Sequence, residues 1–115
     1  MLTKGSVMND KPKEKVKESD IQKSCIDYLK YKNIFCFKIA NTGTFKKATG
    51  SYIPSQTKGI PDLVMHLHGE VRYVEFKTPT GRMSEHQIAF KEECDKARIY
   101  YYIIRSLDEL VEVVG

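Results

Sequence analysis

Apolar positions recur along this chain with two different periods, and the switches between them mark out its elements. From about Val16 to Lys32 the repeat is helical. Ile21, Cys25, Ile26, Tyr28 and Leu29 share one side, while Asp20, Lys23, Ser24 and Asp27 lie opposite. Asn33 ends that helix, and Ile34-Phe35-Cys36-Phe37-Lys38-Ile39 predicts a buried strand. A polar stretch from Asn41 to Lys58 follows, rich in Gly, Ser, Thr and Lys; it is long for a structureless connection, and such loops are often functional. Apolar runs on either side of His68-Gly69 then predict a hairpin with a two-residue loop. Thr78-Pro79-Thr80-Gly81 breaks the second strand, and Ser84 begins a helix to about Ala97 with Ile88, Ala89, Phe90, Cys94 and Ala97 expected inward. Ile99 to Ile104 is an aromatic-rich strand, and a short helix from Leu107 to Val113 closes the chain, with Ser106 and Glu109 spaced as a capping box. The predicted order is α-β-β-β-α-β-α, an α/β (mixed α+β) domain with a central mixed sheet flanked by helices. The crossover from the Glu75 strand to the Tyr101 strand is expected to be parallel and right-handed. Residues 1–15 read as a flexible tail and residues 16–115 as one domain.

The hairpin has a chemical consequence. With His68-Gly69 as the loop, residue 67 pairs with 70, 66 with 71, and by the same count Asp62 with Glu75. Directly opposed side chains share a face, so two carboxylates there repel unless a cation holds them. Lys77, two residues beyond Glu75, points to the same face. Two hard oxygen ligands suit Mg²⁺, which takes one or two carboxylates and fills its remaining positions with waters and phosphate oxygens. Lys77 could position or deprotonate an attacking water, or stabilise charge on a phosphate. Glu18 lies seven residues before Cys25 and so projects from the inward side of the first helix, where it could reach the metal through water or hold a second ion. The plainer readings are a first-turn Glu complementing the helix dipole, and a surface strand carrying a Glu-Lys edge pattern.

Composition narrows the function classes. Hydrophobic content of 41% and charged content of 30% fit a soluble globular domain, and no apolar run approaches the ~20 residues of a membrane span. No signal-peptide core follows the N-terminal lysines, which predicts a cytoplasmic protein. The net charge is +4, with the basic residues gathered in the tail and between residues 30 and 58. That distribution permits a polyanionic partner. Asn41, Lys46, Lys47, Ser55, Gln56 and Lys58 of the polar stretch are candidate DNA contacts. Cys25, Cys36 and Cys94 have no CxxC spacing, and His66, His68 and His86 fall at no usual zinc-ligand distance from them, so reduced thiols are expected. Paired acids also serve glycosidases, but few aromatics near the hairpin offer a sugar platform and Lys77 has no role there.

These residues resemble a known family. Ile60-Pro61-Asp62 followed by Glu75-Phe76-Lys77 looks like the PD-(D/E)XK nuclease signature. The wider pattern is similar to its VRR-NUC branch: Glu18 with Ile21-Gln22, Asn41-x-Gly43, Gly59-x-Pro61-Asp62, Glu75-Phe76-Lys77, and Gly81-x-Met83-Ser84-x-x-Gln87. The resemblance covers roughly residues 16 to 110. It implies a restriction-endonuclease-like fold, with Asp62, Glu75 and the Phe76 backbone carbonyl binding Mg²⁺ or Mn²⁺, Lys77 as catalytic lysine, and Glu18 and Gln87 completing the site. It further implies a standalone, phage-type homodimer similar to Holliday-junction resolvases, cutting branched DNA and needing no small-molecule cofactor. Ser84-x-x-Gln87 is also a capping box, which accounts for Gln87 equally well. Flaps or forks as substrates, and a non-catalytic DNA-binding module on the same fold, are the alternatives.

Overall fold

The computed structural model of the chain describes residues 16–39, 44–46, 51–53 and 58–115. The first helix, α1 (Glu18–Tyr31), buries Ile21, Cys25 and Leu29, one residue per turn along a single stripe. No side chain caps its N-terminus; Glu18 and Asp20 in the first turn complement the dipole instead. Asn33 at φ 60° turns the chain out of the helix, a conformation its short polar side chain tolerates.

Strands β1 (Cys36–Lys38), β4 (Leu63–Leu67), β5 (Glu70–Phe76) and β6 (Tyr101–Ile104) form one mixed sheet in the order β1-β4-β5-β6. A separate antiparallel pair, β2 (Thr44–Lys46) and β3 (Ser51–Ile53), occupies part of the long polar stretch, which therefore carries structure of its own. β4 and β5 pair in the register expected from the sequence, Leu67 with Glu70 and Leu63 with Val74. His68 (φ 53°) and Gly69 (φ 78°) both lie at positive φ, as a type I′ turn requires. β6 runs parallel to β5, joined to it by helix α2 (Glu85–Ala97).

Strand alternation divides the sheet's residues between two faces. Leu63, Met65, Leu67, Val74, Phe76 and Ile104 form the core with Ile21, Cys25 and Leu29 of α1 and with Leu110 and Val114 of helix α3 (Leu107–Val114). On the other face, Phe90 of α2 packs edge-on against Tyr73 and is tilted against Tyr101.

Three expectations are corrected. The first strand is an edge strand rather than a buried one, with Phe35 and Phe37 63% and 47% exposed. α2 buries Cys94 alone of its five expected inward residues; Ile88, Ala89 and Ala97 are exposed and Phe90 is half-buried, because the helix leans on the sheet along one narrow strip. The Ser106–Glu109 box is half formed: Ser106 accepts from the Glu109 N–H, but the Glu109 carboxylate accepts from the N–H of Arg105. The three cysteines are unpaired, and burial pushes the Cys25 thiol up to about 11. Among the described residues no helix is long and apolar enough to cross a membrane.

Candidate active site

Antiparallel pairing places the start of β4 beside the end of β5, and the chain uses that end of the sheet to gather its carboxylates. Asp62, just before β4, is tied to both neighbouring strands. Its N–H donates to the Val74 carbonyl at 3.1 Å, and its own carbonyl accepts from the Ile39 N–H at 2.8 Å. Its Oδ2 accepts from the Phe76 N–H at 2.8 Å, which turns the side chain toward the Glu75 segment. The preceding turn is fixed by Gly59, at φ 78°, where a Cβ would run into the His86 carbonyl and the Gln87 amide of α2. Only glycine permits that approach.

Glu75 is the centre of the cluster. It is 2% exposed, and its Oε2 accepts from Gln87 Nε2 at 2.7 Å while lying 3.7 Å from Lys77 Nζ. Its Oε1 is buried with no hydrogen-bond partner among the described residues. Desolvation, followed by the negative charge of Asp62, pushes the Glu75 carboxyl up to about 8; Lys77 opposes the rise and Glu18 adds to it. Glu18, expected on the inward side of the first helix, is instead solvent-exposed at the start of α1, one turn beyond the buried stripe, though its charge still acts on Glu75. Gln87 makes two kinds of contact. Its side chain and that of Ser84 complete a reciprocal capping box, and its Nε2 binds Glu75.

The structure thus brings together Asp62, Glu75, Lys77, Gln87 and Glu18. Of the residues expected to contact DNA, Lys58 is exposed in the turn before Gly59, and Lys46 belongs to β2. Asn41, Lys47, Ser55 and Gln56 lie outside the described residues.

Two neighbours escape a reading of the sequence. Tyr101 has a buried hydroxyl without a partner among the described residues, and burial and the nearby Glu75 push its titration upward. The parallel register, Tyr101 opposite Tyr73, sets it on the Glu75 face. Arg105 donates to the carbonyls of Thr78 and Gly81, both at 2.7 Å, and so clamps the segment that follows Lys77. The sequence carries a signal for Tyr101 in the β-α-β order and none for Arg105.

The donor chemistry fits a hard divalent cation. Asp62, Glu75 and the Phe76 carbonyl could hold one, and the unpartnered Glu75 Oε1 is the atom that most needs it. Among the described residues no group of three or more His, Cys, Asp and Glu could hold a metal alone.

A family model described as the VRR-NUC domain matches residues 16–108. A solved structure titled "VRR_NUC domain" is similar in fold, with a TM-score of 0.63 over 84% of this chain and 92% of that chain at 19% identity. No curated protein matches.

Proposed function

The chain belongs to the VRR-NUC domain family, within the PD-(D/E)XK nucleases, and from that premise we propose that it is a metal-dependent endonuclease cleaving branched DNA such as Holliday junctions. The observation that carries the reading is Glu75: a buried carboxylate beside Asp62, bonded to Gln87 and 3.7 Å from Lys77. Structural burial alone gives no reason to gather these groups, since an unpaired buried carboxylate costs stability.

Asp62, Glu75 and the Phe76 carbonyl are the proposed ligands of Mg²⁺, with Mn²⁺ able to substitute. When bound, the metal activates water and neutralises charge on the phosphate. The Phe76 N–H holds Asp62 in place, and the Gln87 amide orients Glu75 through Oε2. The Lys77 ammonium is placed to stabilise negative charge that grows on the phosphate oxygens during hydrolysis. Glu18, on the open side of the cluster, can fix a water at its rim.

Residues 16–115 act as the nuclease domain, a homodimer in the cytosol. Lys58, with Asn41, Lys46, Lys47, Ser55 and Gln56, contacts DNA. A labelled four-way junction incubated with the protein and Mg²⁺ should show paired symmetric nicks, absent with chelator or in Asp62→Ala. Flap or fork cleavage in preference to the junction would redirect the substrate assignment. Junction binding without turnover in Mg²⁺ or Mn²⁺ would overturn the nuclease reading in favour of a non-catalytic DNA-binding module.

A further inference from the structure

On the α1 side of the sheet, the flank of α1 and the end of β1 form an open pocket of about 300 Å³, lined by Ser19, Gln22, Lys23, Ile26, Asp27 and Lys38. Its position relative to Asp62 is fixed by the sheet. Lys38 pairs with Leu63, and the next residue, Ile39, donates its N–H to the Asp62 carbonyl. Cys36 packs against the core on the α1 side, and Lys38, two residues on, projects to the same side. On the helix, Gln22 follows Glu18 by one turn, so both lie on one flank. Glu18 in turn acts electrostatically on Glu75. The cavity therefore shares the Gln22 flank of α1 with Glu18, whose charge reaches Glu75.

The cavity's chemistry is that of an anion site. Its one acid, Asp27, is engaged by Lys23 at 2.9 Å, which leaves the Lys38 ammonium as net positive charge. The Ser19 hydroxyl and the half-buried Gln22 amide add neutral donors. Such a set grips a phosphate without reading a base.

We infer that this cavity, through Lys38, Gln22 and Ser19, binds a backbone phosphate of the DNA strand adjacent to the one held at Asp62 and Glu75. The inference rests on the nuclease reading for the identity of the ligand and adds where the strand runs: across the α1 side of the sheet, besides the polar stretch that follows β1. Lys38 is then a substrate-positioning contact at the cleavage site.

Fluorescence anisotropy of a labelled four-way junction, with Ca²⁺ in place of Mg²⁺ and the salt concentration varied, separates binding from turnover. Lys38→Ala should weaken binding by about five- to tenfold and reduce the slope of log K against log salt by about one. Lys38→Arg should restore both. Lys96→Ala, which removes the same charge at the far end of α2 where it pairs with Glu93, should change neither. Wild-type affinity and slope in Lys38→Ala, or an equal loss in Lys96→Ala, would overturn the subsite. A loss confined to Lys38→Ala in a protein that cuts nothing in Mg²⁺ or Mn²⁺ would support the subsite and overturn the nuclease reading, so the two fail separately.

Discussion

Glu75 is 2% exposed and its carboxyl is pushed up to about 8, so the fold itself favours the protonated form. In the folded chain it keeps a proton until about pH 8, against an ordinary value of 4.5. Between those values the native state binds more protons than the unfolded one, so metal-free stability falls as pH rises through that window. Glu75→Gln, which keeps the shape and removes the charge, should lift that penalty. Chelated, at a pH of about 8.5, the variant should melt at a higher temperature than wild type, reflecting a stability gain of order a few kcal/mol. At a pH of about 4.5 the two should melt together, and cleavage should be lost at both. Equal melting on the alkaline side would mean that Glu75 is hydrated rather than desolvated. The clustering of Asp62 with Glu75 was legible in the sequence at this scale, because a type I′ turn fixes register: β4 and β5 pair as expected up to Leu63 with Val74, and Asp62, one residue before, bonds the Phe76 N–H through its side chain. Arg105 was not, since its three carbonyl partners lie in a loop more than twenty residues upstream and no local pattern links them.

At the scale of elements, the N-terminus of α2 is where a helix cap and the carboxylate cluster share a residue. Ser84 and Gln87 cap the helix reciprocally, but Gln87 alone reaches Glu75. Ser84→Ala should therefore cost about 1 kcal/mol in thermal or denaturant unfolding and leave junction cleavage near wild type. Gln87→Ala should cost a similar amount and also reduce cleavage by roughly 10–100-fold, as loss of a group that orients a ligand does. Parallel losses of cleavage in both variants would reduce Gln87 to a cap. Sequence located these helices and strands through their periods but misjudged burial. An apolar run such as Ile34–Ile39 reads alike for a central strand and for the edge strand that β1 is. Likewise, the spacing of Ile88, Ala89, Phe90, Cys94 and Ala97 marks a helical face, while the width of sheet beneath decides that only Cys94 is buried. The β2–β3 pair was hidden because its strands are three residues each, too short for alternation to register.

Over the whole molecule, the site is assembled from stretches far apart in sequence by two connections, the β4–β5 hairpin and the β5-α2-β6 crossover. The hairpin sets Asp62 against the end of β5, and the crossover swings Gln87 over Glu75 and brings Tyr101 alongside on the same face. The core lies on the opposite face with α1 and α3, so the acids sit over packed sheet without entering the apolar cluster. Under the proposed function, Asp62 and Glu75 together hold a divalent cation, which takes the place of the proton that burial otherwise keeps on Glu75. Calorimetric titration of Mn²⁺ near pH 7, repeated in buffers of different ionisation enthalpy, reads both binding and proton release. The account predicts a binding event in wild type that releases close to one proton, as the Glu75 carboxyl is deprotonated, and that is lost in Asp62→Ala and Glu75→Gln. Undiminished binding in either variant, or binding without proton release, would contradict it.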